Sequence, residues 1–515
     1  MKKIFSAFFI ITLNLHAQIT FQKSCQAGDN SLMRCAYQAA DSSYFLLGNV
    51  QITGIDGSTF LIKTDKYGDT LFSKMYSDPL RYTNCLSAIP TADGGSVIMG
   101  KISLGSPGFR YYVQKMDSLG QVEWAKGYTH TGTANDYPAS ISQTSDGGFI
   151  LCGQYGGSGG NSHLLRLDPA GNIVWNRLYG HSIWSGNAEH VKQTSDLGFI
   201  VLGNYSQDGY SQEYLVKTNS AGDTLWTRTY EVSGPHHFYN GDILQSADGG
   251  YAIVSSSDIP GNNNDIILVK TNSNGDILWT RSYGTPEHES RPYISETPDH
   301  GYVIGATRAA AVTSSDETVL LIKTDDTGNM EWTNSYAGAG STSLFSVRMA
   351  ADGGLIIAGA TFSLTADAYL LKTNVNGNGP CQESVTLTVG SPLITAYHRF
   401  TSLYTPAFTE VVSSISVRSG ISTIAICTDA SIHEPPAPDI FTISPNPASG
   451  KVKIIYESER GPFSLCIYNL MGTTIYNQDI INSEQEIELA ELNAGLYFIQ
   501  VTNGKKASVK KLIIQ

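Results

Sequence analysis

Two short signatures alternate along most of the chain at a spacing near fifty residues. The first is an Asp/Asn-x-x-Gly turn, a short apolar strand with a Trp, and a closing Tyr, as in "TNSNGDILWTRSYG" at 271–284. It recurs from Thr64, Met116, Leu167, Thr218 and Thr324, and the turn glycines Gly68, Gly120, Gly171, Gly222, Gly275, Gly328 and Gly377 lie 49–53 residues apart. The second is an Asp-Gly-Gly turn before an apolar strand, with Asp93, Asp146, Asp196, Asp248, Asp299 and Asp352 and a degenerate copy at Asp41, spaced by 50–53 residues. Self-similarity of this period means blades or solenoid units.

Each unit reads as four strands, A to D. A precedes the Asp-Gly-Gly turn, B follows it, C ends in Lys-Thr-Asp/Asn, and D carries the Trp. Both turns are hairpin chemistry: Gly supplies positive φ, and Asx side chains cap their own turn. No helical periodicity appears within the units, so four-stranded blades fit and an α-solenoid does not. The seventh unit has a strand C, "AYLLKTNVNGNG", but then runs into "PCQES" without a strand D. The missing strand stands at the other end: "ITFQKSC", Ile19–Cys25, aligns with "ILWTRSY", Ile277–Tyr283, with Phe21 at the Trp279 position. The expected fold is all-β, a seven-bladed β-propeller whose N-terminal strand closes the last blade and removes two open edges. A smaller β-sandwich follows at the C-terminus.

Trp124, Trp175, Trp226, Trp279 and Trp332 share one repeat position. That argues for packing between blades rather than a ligand site repeated seven times. The turn Asp and Asn lack the spacing of a calcium loop and read as turn caps. No metal site and no cofactor is expected.

Charged residues make up only 15% of the chain, the net charge is −13 and Gly (51) and Tyr (28) are abundant. This suits turn-rich β structure, and the acidic balance argues against nucleic-acid binding, which needs basic patches. "MKKIFSAFFIITLNLHA", 1–17, has the basic start and short apolar run of a secretory signal, too short for a stable membrane span. No other stretch is apolar enough to cross a bilayer as a helix. Export permits disulfides, and of the seven cysteines Cys381 and Cys427 bracket a Ser/Thr/Val-rich stretch and are the expected pair.

The domains expected are therefore the signal peptide 1–17, the propeller 18–380, an extended or hairpin spacer and stiff linker 381–439 that forms no further blade, and a compact β unit 440–515. The last carries Pro445-Asn446-Pro447, a strand and turn ending at Gly472, Gly495-Leu496-Tyr497, and a closing strand with Lys511. In these motifs it resembles the type A C-terminal sorting domain of the type IX secretion system. The resemblance covers about 75 residues. It implies a Bacteroidetes-type Gram-negative host, Sec export, passage across the outer membrane, and partners in the secretion machinery and its sortase-like peptidase. Release or surface attachment would follow.

GxSxG, HExxH, Walker and dinucleotide motifs are absent from the sequence. The best pointer to function is loop asymmetry. A–B and C–D turns are short and alike, whereas B–C and D–A connections are long, variable and share the opposite face, where binding tends to reside. Trp184, off the repeat pattern, lies in a D–A loop; His236, His237 and Tyr239 lie at the next one; Tyr155 and Tyr205 lie at B–C loops. These six are the candidate ligand residues of an aromatic rim for a glycan or protein. The expected function is a non-enzymatic exported binding module. Its rivals are a polysaccharide hydrolase or lyase, favoured by an acidic pair or a His facing the channel, and a structural or adhesion component.

Overall fold

A computed structural model describes residues 18–397 apart from 27–28, 53–54, 79–80, 104–107, 131–134, 157–160, 181–185, 208, 233–235, 259–262, 311–315, 339 and 364. Beyond 397 it describes the strand segments given below and Ala448. The expected signal segment 1–17 and Trp184 lie outside the described residues, as do Pro445, Asn446, Pro447 and Gly472. All described regular structure is β, and the chain divides into two compact units, 1–431 and 432–515.

The first unit holds seven antiparallel sheets of five strands each. Four strands of each sheet follow the A–D order of one repeat. In the fifth sheet these are Phe238–Gln245, Tyr251–Ser257, Asp265–Thr271 and Ile277–Gly284. B and C are buried throughout in this sheet, with apolar runs at 251–254 and 266–269, because sheets cover them on both faces. Packing between sheets runs in a closed cycle: the inner strands Asn30–Gln38, Ser87–Pro90, Tyr137–Gln143, Gly186–Gln193, Phe238–Gln245, His288–Glu296 and Ser341–Met349 each pack on their neighbours, and the first packs on the last. Phe21–Gln26 is the D strand of the last sheet, paired antiparallel with Ala366–Lys372 so that Cys25 faces Ala368. The N-terminal strand thus fills the place that the seventh repeat leaves open.

Each repeated residue has a defined task. The Tyr of strand D is fully buried, and its hydroxyl donates to the carbonyl of the next repeat's C–D turn glycine: Tyr128 to Gly171 at 2.8 Å, Tyr230 to Gly275 at 2.8 Å, Tyr283 to Gly328 at 2.6 Å. The Trp is only half-buried and lies flat against that same glycine. At Gly275, with φ of 77°, an added Cβ would come 2.9 Å from the Trp226 ring. So the Trp does pack between sheets, but the fully buried anchor is the Tyr four residues later. The Asp of the A–B turn caps its own turn, as Asp248 does for the Gly250 N–H at 2.9 Å, and takes the buried strand-C Lys270 at 2.8 Å. Asp93, Asp196 and Asp299 lie at about 2, below the ordinary carboxylate range: burial pushes them up, but lysine and turn donors outweigh it.

The stretch after 381 departs from the expected spacer. Seven short strands, Gln382–Ser384, Thr388–Gly390, Ile394–Tyr397, Ser402–Tyr404, Phe408–Val412, Ser416–Arg418 and Ile426–Asp429, pair in turn with the outer strands of the sheets, running backwards through the order of the repeats. The cause is the row of unpaired N–H and C=O groups that every outer strand D presents, which an extended segment satisfies. The expected Cys381–Cys427 pair is also corrected. Cys381 is an exposed thiol, whereas Cys25 is disulfide-bonded and stands opposite Cys427 in the backbone register. Strand alignment rather than chain spacing sets which cysteines meet.

The second unit has a three-stranded sheet (Phe441–Ser444, Lys451–Tyr456, Glu484–Glu488) and a four-stranded one (Thr474–Ile480, Phe463–Tyr468, Gly495–Thr502, Ala507–Ile514). They share one core that includes Val452, Ile454, Leu465, Ile467, Ile499, Val501 and Leu512. Gly495, Leu496, Tyr497 and Lys511 lie on the two neighbouring strands at the edge of the larger sheet.

Candidate functional site

The inner strands share an irregularity that the repeat does not advertise. Their pairing with strand B shifts between Met33 and Cys35, Pro138 and Ser140, Ala188 and His190, Tyr239 and Asp242, Ser290 and Tyr293, and Leu344 and Ser346. A β-bulge re-aims the extra residue and bends the strand. In several repeats the bulge brings its backbone close to the glycine that ends the apolar run of strand B, whereas the fifth repeat has Ser255 there. A Cβ would sit 2.0 Å from the Leu32 carbonyl at Gly48 and 2.1 Å from the Ser343 carbonyl at Gly359.

In these six strands the bulged position lies seven residues before the turn Asp, at Arg34, Ala139, Glu189, Gly241, Pro292 and Phe345, and Leu86 holds the same position in the remaining repeat. All seven line a central space. One cavity of about 360 Å³ includes Asn187, Glu189 and Arg291, at the end where the D–A connections enter; another of about 220 Å³ reaches Lys192 and Arg348, toward the A–B turns. Arg34, Ala139, His190, Tyr293 and Phe345 line both.

The carboxylates here are turned toward protein donors. Glu189 accepts from the Gly241 N–H at 3.0 Å and the Asn204 amide at 2.9 Å; burial pushes its carboxyl up, opposed by the Gly241 N–H, His190 and the Asn187 amide. Asp242 pairs with His190 Nδ1 at 3.0 Å and accepts from the N–H groups of Ile243 and Ile294. Burial raises Asp242, but His190, Lys192 and the Ile294 N–H prevail and hold it well below the usual range. Behind the wall, Glu213 is pushed up to about 8 by burial, with Ser255 opposing and Glu189 adding to the rise. Tyr293 is edge-on to His190 at 6.4 Å and is pushed up to about 12 by burial and then by Asp242.

The cations are less committed. Arg34 stacks on Phe345 with 4.4 Å to the ring centroid, and its Nε is buried without a hydrogen bond, as is that of Arg348. Arg291 holds a φ of 52°, next to Pro292 in the bulge, and lies 3.9 Å from Glu317. A non-glycine residue held there stores strain of the kind that clusters at binding sites. In all, four cations (Arg34, Lys192, Arg291, Arg348) face two carboxylates (Glu189, Asp242) inside a chain of net charge −13.

Of the rim residues expected from the loops, the structure brings two together. His237 stacks on Tyr239 at 5.5 Å, with Tyr210 a further 5.5 Å from the His237 ring. His236 is buried, its Nδ1 2.6 Å from the Asp258 carbonyl. Tyr205 is buried beside Tyr214, and Tyr155 packs edge-on to His163 of the adjacent strand in its own sheet. The column that lines the cavity went unread in the sequence, although its signal was present as a position that differs in all seven repeats at a fixed distance from the turn Asp.

Residues 442–515 match the family described as the secretion system C-terminal sorting domain. The chain carries a type IX secretion sorting domain. That domain takes the protein out of the cell, to its surface or the exterior. No curated protein matches the chain. Among solved structures, a protein of unknown function from Dyadobacter fermentans matches with 10% identity and a TM-score of 0.36, over 69% of this chain and 98% of that one. PorZ, an essential surface component of the type-IX secretion system of Porphyromonas gingivalis, matches with 8% identity and a TM-score of 0.23, over 96% and 100%. No described helix is long and apolar enough to cross a membrane.

Proposed function

We propose that residues 18–431 form an exported seven-bladed β-propeller that binds a ligand at the mouth of its central channel without turning it over. The smaller unit would be a β-sandwich that the secretion machinery reads and a sortase-like peptidase removes. The observation that carries the binding reading is the bulge column. The turn Gly, the strand-D Trp and Tyr, the turn Asp and the strand-C Lys largely repeat and serve geometry, but the position seven before the turn Asp carries Arg, Leu, Ala, Glu, Gly, Pro and Phe, all lining one space. Different side chains converging on one shared space suit a single asymmetric ligand. A rigid ring presenting varied side chains into a concave, partly apolar space is the usual form of a binding site.

His190 held by Asp242 beside Tyr293 favours a second reading, a hydrolase or lyase acting on polysaccharide. Against it, the mouth carboxylates are occupied by protein donors, which leaves little lone-pair capacity for general acid or base work.

The test is a combined binding and turnover screen of the mature chain against acidic glycans, neutral glycans and peptides, with Ala139→Phe alongside. Phe345 occupies the equivalent position in another sheet, so a ring is compatible with the bulge. Binding without product, lost in Ala139→Phe at an unchanged melting temperature, supports the proposal. Product formation would replace it with the enzymatic reading, and binding untouched by the substitution would move the site off the channel.

A further inference from the structure

Resting on that binding reading, we infer that the channel mouth takes a carboxylate-bearing sugar, a hexuronate unit of an acidic oligosaccharide, with Arg34 as the anion anchor. Three observations point there. The carboxylates of the mouth are hydrogen-bonded to protein donors, whereas Arg34 has a buried Nε that makes no hydrogen bond. A buried guanidinium N–H without an acceptor is costly, and a ligand carboxylate would satisfy it through the planar fork that suits bidentate pairing. The second observation is the sign of the lining, cationic within an acidic chain, which concentrates anions at the mouth. The third is the company the arginine keeps. Phe345 and Tyr293, both partly exposed to the cavity, offer apolar ring faces beside Arg34 and Arg291. A ligand that uses both a cation and a flat apolar wall is a charged ring, more than a flexible acidic side chain. The cavity, about 360 Å³, is of small-molecule size.

Arg34 binds the ligand, and Tyr293, edge-on to the His190 that Asp242 holds, forms part of the wall. The Arg34 guanidinium is held over Phe345 before any ligand arrives, so little side-chain freedom is lost on binding.

The experiment is calorimetric titration of the mature full chain with tri-galacturonate, the neutral galactotriose and tri-glutamate, repeated with Arg34→Gln and Arg34→Lys. Tri-galacturonate binds at least about tenfold tighter than galactotriose, loses at least about tenfold in Arg34→Gln, keeps part of its affinity in Arg34→Lys, and weakens as salt is raised. Equal affinity for the neutral trisaccharide, or an unchanged Kd in Arg34→Gln, overturns the inference. Tighter binding of tri-glutamate overturns it in favour of an acidic peptide. If Arg34→Gln fails to fold, the exposed Arg291→Gln replaces it with the same expected direction. Neutral ligands that bind and are lost in Ala139→Phe would leave the broader binding reading standing while this one falls; acidic or neutral ligands indifferent to both substitutions would remove both.

Discussion

Glu213→Gln should flatten much of the pH dependence of stability. Glu213 lies on strand Tyr210–Thr218, is 2% exposed, and has an Oε2 that makes no hydrogen bond. Its carboxyl is raised from 4.5 to about 8, mainly by burial. A carboxyl raised on folding favours the native state most when it is protonated in both states, below about 4.5. As pH rises from there to about 8, the unfolded chain gives up its proton and the folded chain does not, so stability falls through that window and then levels. The gap between the two values corresponds to a loss of about 3–5 kcal/mol. The amide of Gln is nearly isosteric and does not titrate. Urea-unfolding midpoints of wild type and Glu213→Gln should therefore lie close together at pH 5, with the variant clearly the more stable at pH 9. Both keep a residual slope, because Glu289, pushed up to about 7 by burial, remains in both. Parallel midpoint curves across that range would refute the reasoning and mean that Glu213 reaches solvent or a hidden donor.

Three further outcomes follow from the same geometry. Removing residues 18–26 strips the D strand of the last sheet and the disulfide-bonded Cys25, and should lower the melting temperature by many degrees; an unchanged melt would contradict the closure. Tyr283→Phe leaves the buried Gly328 carbonyl without the hydroxyl that meets it at 2.6 Å, and should cost about 1–3 kcal/mol in denaturant titration. Deleting 442–515 should hold the protein in the periplasm on cell fractionation, whereas normal delivery to the surface would contradict the sorting assignment.

Much of the scaffold is legible in the sequence because each repeated residue answers a need that recurs in every sheet. A Gly at positive φ recurs in all seven sheets, and a Tyr reaching the next turn and an Asp beside a Lys recur in six, so they stand out as a period. Even the missing D strand is visible, since Phe21 and Cys25 keep the spacing of Trp279 and Tyr283. The outer run of edge strands is not legible. It pairs through backbone groups in pieces of three to five residues, and backbone pairing leaves almost no residue signature. The cysteine pairing failed for a related reason: Cys25 and Cys427 are neighbours by strand register while far apart in the chain. The cavity lining hid in a different way. Attention to odd loop residues such as Trp184 and His236 follows the rule that loops bind, but here a bulge inside a strand turns one regular position inward, and only alignment of Arg34, Glu189, Gly241 and Phe345 by their distance to the turn Asp exposes it.

The most direct measurement is a hydrogen–deuterium exchange footprint of the mature protein with and without saturating tri-galacturonate. The account predicts protection appearing together in peptides around Arg34, Glu189 and Phe345, which belong to three different sheets and meet only at the channel mouth. Protection confined to the His237–Tyr239 rim, or none at any of the three, would contradict it.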